Sequence, residues 1–390
     1  MIRNPAHTLR VLHLASWYPS KVHETLGNFV ERHVQAISTR HGGEIWFAAA
    51  VPAGQTVPLD TTRKRGSYTE RIVYFRARKP MVWHVTRALF KAAQSHADKN
   101  SPPFDLIHLH VAYPAGKAAR QLAKRWRVPL VMTEHWTAYH GDQRQALPFW
   151  RRQSMLRTGN AATVICPVSE DLARRMRSFG INGTYRPVPN VVDTKLFHAS
   201  SDANTEATSF RALHISSLRD DQKNISGLLR SLKIALPQCP NLHVSIIGDG
   251  DPAPHQSYAQ QLGIADRIKI LGEISLPEVA QRMRESDALI LFSRFENFPC
   301  VIPEAWASGI PVLSTDVGGI REHLTSERGA VIASEDESAL AATLVDWSQG
   351  RIQFDSSKLR AHAEKTFSIE AVARDYHEVY EEALSTFGTP

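Results

Sequence analysis

A rhythm of short apolar runs alternating with amphipathic stretches, repeated in two series, constrains the fold more than any other feature of the sequence. The first series begins with "LRVLHLA" (9–15), "NFVERHVQAIS" (28–38) and "EIWFAAAV" (44–51). It continues through "FDLIHLHV" (104–111), "AGKAARQLAKRW" (115–126), "VPLVMTEH" (128–135), "AATVICPVS" (161–169) and the helical "EDLARRMRSFG", which Gly180 stops. Runs of strand length that are apolar throughout, separated by 3.6-period segments, predict parallel strands buried on both faces by helices. Between 189 and 209 the apolar pattern lapses into Ser, Asn, Asp and Thr, the composition of a connection. The rhythm then restarts with "FRALHISS" (210–217), "NISGLLRSLKIAL" (224–236), "LHVSIIGDG" (242–250), "RIKILGEI" (267–274), "LPEVAQRMRESD" (276–287), "ALILFS" (288–293) and "RGAVIAS" (328–334). The prediction is an α/β chain of two Rossmann-like, doubly wound parallel-sheet domains. The last amphipathic piece, "FSIEAVARDYHEVYEEAL" (367–384), has no strand after it, and we expect it to cross back to the first domain. The expected boundaries are a domain over 1–195, a linker over 196–209, a second domain over 210–366, and a crossover helix and tail over 367–390.

A length of 390 residues exceeds what a single hydrophobic core usually serves, in line with two domains. No run of about 18 apolar residues occurs, and His13 and the Trp-Tyr-Pro at 17–19 interrupt any signal-peptide core, so a cytoplasmic chain is expected. Cys166, Cys239 and Cys300 are odd in number and far apart, which reads as buried thiols in a reducing compartment and argues against a structural zinc site. Residues 1–200 carry 29 Lys+Arg against 12 Asp+Glu; the totals of 46 and 39 leave 17 against 27 for the rest, so the halves are +17 and −10. Clusters at 63–80, 151–160 and 173–180 read either as solvated faces or as a surface for an anionic membrane or acidic acceptor. A nucleic-acid partner is not expected, because no aromatic-interleaved basic motif is present.

The stretch "FENFPCVIPEAWASGIPVLSTDVGGIREHL" (295–324) carries the most chemistry. Glu296 falls in the loop beyond the carboxyl end of a buried strand, where doubly wound sheets bind ligands. Pro303 suits a first helical turn and Gly309 a helix stop, so Glu304 opens a short helix whose amides at about 298–302 are expected to point outward. A helix start holds phosphate, and a carboxylate beside it can accept both hydrogen bonds of a ribose diol. Taken singly, Glu304 could equally complement its helix dipole and Glu296 be an exposed loop charge. The pair Gly318-Gly319 after the next strand, expected to let backbone approach a ligand, favours the binding reading.

The pattern E-N-F-P-C-V-I-P-E-A-W-A-S-G-I-P-V followed by D-V-G-G-I-R-E resembles the E-x7-E signature of the retaining glycosyltransferases of family 4, which have the GT-B fold of two Rossmann-like domains facing a cleft. Similar segments occur in order: "ISSLRDDQKNISGLL" (215–229), "SIIGDG" (245–250) and "SLPEVAQRMRESDALILFS" (275–293), with "ASWYPSKVHETLGNFVERHV", "IHLHVAYPAG", "TEHW" and "PNVVDTKLF" in the first half. The resemblance implies that Glu304 binds the donor ribose, that Glu296 with Asn297, Phe298 and Pro299 meets the donor sugar, and that amides near Cys300 and Val301 meet the diphosphate. It implies a basic pair on the departing diphosphate: Lys223 fits one member, and Arg219 stands two residues beyond the place where the family carries an arginine after a glycine, here Ser216-Ser217. By the same resemblance Gly27 and Gly248 belong to nucleotide-sugar-binding turns and His135 lies close to the reacting sugar. His110, near a strand end, is placed in the acceptor cleft.

These residue types suit transfer from a nucleotide diphosphate sugar to an acceptor hydroxyl with retention, without a cofactor or metal. The leaving group is already good, and Lys223, Arg219 and helix amides can absorb its growing charge. The expected acceptor is a glycan or lipid-linked intermediate of cell-envelope or exopolysaccharide assembly, met in the cytoplasm or on the cytoplasmic membrane face. A nucleotide-sugar epimerase of the same fold and a non-catalytic sugar-nucleotide or membrane-binding module are the alternatives. His108 and His110 on one strand face, with His135 and His140, raise a metal-dependent hydrolase, which would leave the other sheet's site unused. Asp249-Gly250-Asp251 imitates a metal-binding DxD but sits in a strand-ending turn, and no G-x-G-x-x-G follows the first strand.

Overall fold

A computed structural model describes residues 8–76, 81–94, 103–200 and 209–388, and the chain divides into two units, Met1–Val191 with Ile369–Pro390 and Val192–Ser368. In the first unit β1 (Arg10–Ala15), β2 (Gly42–Val51), β3 (Asp60–Arg65), β4 (Tyr68–Arg76), β5 (Leu106–His110), β6 (Leu130–Glu134), β7 (Val164–Pro167) and β8 (Thr184–Tyr185) form an eight-stranded sheet in the order β3-β4-β2-β1-β5-β6-β7-β8. Neighbours run parallel except β3 against β4. That hairpin was not expected: its segment reads as a charge cluster because the sheet-edge strand "DTTRKR" buries none of its side chains. Gly66, at φ 57°, makes the tight turn, and the charges pair across it, with Arg71 2.8 Å from Asp60. Residues 77–80 of the cluster lie outside the described residues.

In the second unit β9 (Phe210–Ile215), β10 (Leu242–Ile247), β11 (Ile268–Leu271), β12 (Ala288–Leu291), β13 (Val312–Thr315) and β14 (Gly329–Ile332) form a six-stranded, all-parallel sheet in the order β11-β10-β9-β12-β13-β14. Central β12 and β13 are buried at every residue, which is why their sequences read as unbroken apolar runs.

The divide at Val191/Val192 precedes the linker placed at 196–209. Residues 193–197 already fold with the second unit: Leu196 N–H donates to the Asp193 carbonyl at 3.2 Å, and Arg284 Nη1 donates to the Leu196 carbonyl at 3.1 Å. Residues 201–208 of that linker lie outside the described residues. Val192 and Ser368, the first and last residues of the second unit, form a parallel bridge, so the two places where the chain changes unit lie side by side.

The helix Ile369–Thr386 packs on the first unit, as its lone amphipathic pattern predicts. Its stripe of Val372, Tyr376, Val379, Tyr380 and Ala383 lies in one core cluster with Val11 of β1, Leu106 of β5, Val131 of β6 and Val164 of β7. Burial of each large side chain in that stripe contributes roughly 2 kcal/mol. Cys166 and Cys239 are buried as expected, whereas Cys300 is half-buried because it sits at the start of a helix.

Candidate active site

The strand order of the second unit reverses between β9 and β12, and a doubly wound sheet opens a ligand crevice beyond the carboxyl ends of its strands at such a point. Two candidate residues meet there. The chain leaving β9 turns into the short helix Asp220–Lys223, and the chain leaving β12 carries Glu296. Lys223 Nζ lies 2.5 Å from Glu296 Oε1, and Ser293 Oγ donates to the same oxygen at 2.8 Å. Both charged side chains are largely withdrawn from water, so each depends on the other: removing one partner of such a pair costs about 3–5 kcal/mol.

Arg294, which the sequence reading passed over, ties the two loops together. Its N–H donates to the Gln222 carbonyl at 2.8 Å, Nη1 to the Asp220 carbonyl at 2.6 Å and Nη2 to Asn224 Oδ1 at 2.6 Å, while Nε pairs with Glu335. Asn224 sits in the left-handed region at φ 52°, ends the Asp220–Lys223 helix and caps the next one by accepting from Gly227 N–H at 3.2 Å. A cation placed between a strand end and Glu296 was the available signal. Arg219 behaves differently from Lys223: it is 61% exposed and forks onto Asp221 at 2.7 Å.

Gly318, at φ 59°, has the Glu296 carbonyl 2.0 Å from where its Cβ would stand, and Gly319 N–H donates to the Asn297 carbonyl at 2.7 Å. The pair therefore lets the Glu296 loop approach this closely. Gly248 similarly meets the Ser216 carbonyl, 1.6 Å from its would-be Cβ, and so lets the turn after β10 press against the one after β9. Of the amides expected to point outward at 298–302, that of Ile302 is taken by the Pro299 carbonyl at 3.2 Å.

The helix Val301–Ala307 begins at Cys300, and its first turn contains Pro303 and buried Glu304, so the positive end of its dipole lies beside that carboxyl. Phe298 anchors the approach, packed 4.9 Å from His323 and 5.5 Å from Phe367 between ring centres. Asn297 is buried next to it; Cys300 and Val301 at the helix start are half-buried. Asp251 accepts from Ala253 N–H at 3.0 Å and so opens the helix Ala253–Leu262, an ordinary structural use of the Asp-Gly-Asp turn.

The first unit holds the remaining candidates. Its sheet reverses order between β1 and β5. There Ser16 Oγ donates to the Val111 carbonyl at 2.7 Å and accepts from Ala115 N–H at 3.0 Å. Gly27, at φ 72°, starts the helix Asn28–Ile37; its would-be Cβ lies 2.5 Å from the Trp17 carbonyl carbon, so only glycine lets the two loop segments touch. Glu134, also unforeseen, ends β6 fully buried and accepts four hydrogen bonds: Ala112 N–H at 3.0 Å, His135 N–H at 2.9 Å, Trp136 N–H at 3.0 Å and Tyr139 Oη at 3.0 Å. Burial raises its pKa and these donors pull it back. It thereby fixes the backbone that presents His135.

His110 and His135 belong to a buried set that also contains His13, His33 and His108. The His108 and His110 rings stack 4.1 Å apart, His13 Nδ1 lies 3.1 Å from His110 Nε2, and His33 and His135 are 5.0 Å apart between centres. Burial, reinforced by neighbouring histidines, pushes His13 down to about 3 and His108 and His110 well below the usual range. Burial likewise takes His33 to about 4 and His135 well down. His108 packs fully buried in the core, where it bridges Tyr380 Oη and Thr133 Oγ1, each at 2.7 Å.

Two doubly wound parallel-sheet units define the GT-B class of fold. The structure of Anabaena Alr3699/HepE in complex with UDP matches with a TM-score of 0.73 at 18% identity, over 96% of this chain and 100% of that one. Residues 30–196 match the family described as Glycosyltransferase Family 4, and residues 209–349 match Glycosyl transferases group 1. The lipopolysaccharide core biosynthesis mannosyltransferase LpsB of Rhizobium meliloti is 31% identical over 247 residues, 55% of this chain and 68% of that protein. A phosphatidyl-myo-inositol mannosyltransferase of Mycobacterium leprae is 27% identical over 246 residues, 62% of this chain and 63% of that protein. The chain belongs to glycosyltransferase family 4.

Proposed function

We propose that this glycosyltransferase moves a sugar from a nucleotide diphosphate sugar to an acceptor hydroxyl with retention of configuration. The Lys223–Glu296 pair at the switch point of the second unit carries this reading. Lys223, held in place by Glu296, faces the charge that grows on the leaving diphosphate, with Arg219 and the start of the helix Val301–Ala307 adding positive potential. Glu304 takes the ribose diol. Glu296 is already engaged by Lys223 and Ser293, which suits it to hold the donor sugar and Lys223 rather than to attack the anomeric carbon. The departing phosphate oxygen then accepts the acceptor's proton on the face it leaves, and His135 lies beside the reacting sugar. No metal on the diphosphate enters this scheme. A related fold carrying UDP supports a nucleotide donor.

Thermal shift against UDP-, GDP-, ADP- and dTDP-sugars, with and without EDTA, tests the donor. One nucleotide series should raise Tm regardless of chelator and yield sugar transfer. A shift that EDTA abolishes, or none with any donor, would remove the reading.

The acceptor is a lipid-linked or cell-envelope glycan met on the cytoplasmic face of a membrane, supported by the acceptors named for the two mannosyltransferases. None of the described helices is long and apolar enough to cross a membrane. The first unit instead carries aromatic and basic side chains together on the neighbouring helices Met81–Ala93, Gly116–Trp126 and Phe149–Gly159. Trp83, Phe149 and Trp150 are 60%, 74% and 51% exposed, Lys117 Nζ sits 3.2 Å over the Trp83 ring, and Arg151 lies 5.4 Å from the Trp150 ring. Amphipathic rings among cations suit an anionic interface. The chain should float with liposomes containing anionic lipid and lose that binding in Trp83→Ala/Trp150→Ala; equal recovery with neutral liposomes would contradict the membrane assignment.

A further inference from the structure

His33, His110 and His135 reach one point of the first unit from the helix Asn28–Ile37, the end of β5 and the residue after β6. One ring nitrogen from each lies within 4.8 Å of the other two. Their hydrogen bonds show which ring nitrogens are open. His33 Nε2 is 3.1 Å from the Pro189 carbonyl, which can only accept, so the proton of the neutral ring sits on Nε2 and Nδ1 is a bare lone pair. His110 uses Nε2 toward His13. Among the described residues no hydrogen-bond partner reaches His33 Nδ1 or His110 Nδ1, and both rings are fully buried. Buried polar atoms without partners are uncommon, and two of them in one close histidine set call for a shared positive group.

The geometry points to a divalent transition-metal site of the zinc class, formed by His33 Nδ1, His110 Nδ1 and His135. Three imidazoles without a carboxylate favour zinc, copper, nickel or cobalt over magnesium, calcium or manganese, and a three-histidine set leaves a fourth position for water. Zinc–nitrogen bonds of about 2.0–2.1 Å put tetrahedral nitrogens about 3.4 Å apart, so the rings need to draw in by no more than about 1.4 Å. The outer shell is in place: Pro189 holds His33, His13 meets His110, and the Asn190 side chain bonds His135. Burial keeps the rings neutral, the form that binds metal. The neighbouring set His13, His108 and His110 is the weaker choice, because both nitrogens of His108 are occupied by Tyr380 and Thr133.

The test uses full-length, tag-free protein stripped with chelator and titrated with zinc chloride, then with cobalt chloride. One zinc per chain is expected, with the visible d–d bands of four-coordinate cobalt, and His33→Gln should weaken zinc binding by at least tenfold. X-ray absorption at the zinc edge of the wild-type chain should show histidine scattering, a reading independent of whether the variant folds. Failure to bind stoichiometric zinc, unchanged affinity in folded His33→Gln, or a bound zinc without histidine scattering would each overturn the site. Because the proposed function sets His135 beside the reacting sugar, zinc should also slow transfer; that consequence rests on the proposed function, whereas the metal content and the spectrum do not.

Discussion

Moving the metal-free protein from pH 7.5 to pH 5.5 is expected to lower the stability of its first unit, and with it the Tm of that unit. His13, His33, His108, His110 and His135 are all buried with folded pKa values held far below the ordinary 6.5. In the unfolded chain each takes up a proton as pH falls through 6.5, while in the folded chain burial holds that uptake to lower pH. Stability that is complete above pH 6.5 is therefore lost toward acid. Glu31, Glu134 and Asp375 work in the opposite direction, since burial raises their pKa values, but the histidines, with His41 also taken down to about 4, outnumber them. Domains of this kind are stable by only about 5–15 kcal/mol, so a loss shared by several buried histidines is readily measured. Calorimetry across that pH range should show the first-unit transition falling, and the second unit, where burial takes His214, His323 and His362 to about 4, should fall with it to a smaller extent. A first-unit Tm that stays level to pH 5.5 would mean that the histidines are not held neutral together.

Lys223→Ala is expected to lower kcat by roughly 10²-fold or more while leaving the donor KM within a few-fold, the pattern of a group that acts on charge developing in the transition state. Glu304→Ala should do the reverse, raising donor KM. The lysine variant also strands Glu296, which is buried with Ser293 as its other hydrogen-bond partner here, so a stability loss of about 3–5 kcal/mol should accompany it. The double variant Lys223→Ala/Glu296→Gln separates the two effects. Relief of the unpaired charge should restore most of the Tm, and turnover should stay low. Single variants with kcat within threefold of wild type would refute the assigned role of Lys223.

Much of this arrangement was legible in the sequence because its determinants are local. Buried parallel strands write themselves as apolar runs such as "ALIL", and Ser169 just ahead of the acidic pair Glu170-Asp171 caps its helix, accepting from Leu172 N–H at 3.1 Å. The E-x7-E spacing likewise places Glu296 in a loop and Glu304 in a first helical turn. What escaped depends on strand order and register. Nothing in the chain brings Lys223 to Glu296, 73 residues on, until β9 and β12 are neighbours. The histidines at 13, 33, 108, 110 and 135 meet only because β1 pairs with β5 in the register His13 to His108 and a helix lies over both. Glu134 was overshadowed by the adjacent His135, since four converging donors have no sequence signature. The β3–β4 hairpin was hidden because an exposed edge strand needs no apolar pattern.

The position of the helix Ile369–Thr386 bears on how a cell makes this protein. At about 5–20 residues per second, the 177 residues of Val192–Ser368 take roughly 10–35 s to synthesise. Throughout that interval the ribosome has already delivered β1 to β8, yet the stripe from Val372 to Ala383 that covers β1, β5, β6 and β7 does not exist. The nascent first unit must wait with apolar surface uncovered, a natural client for chaperones, while the second unit can close its own core first. Translation that stalls or terminates early between the two units would leave a fragment marked for proteolysis rather than a half-working enzyme.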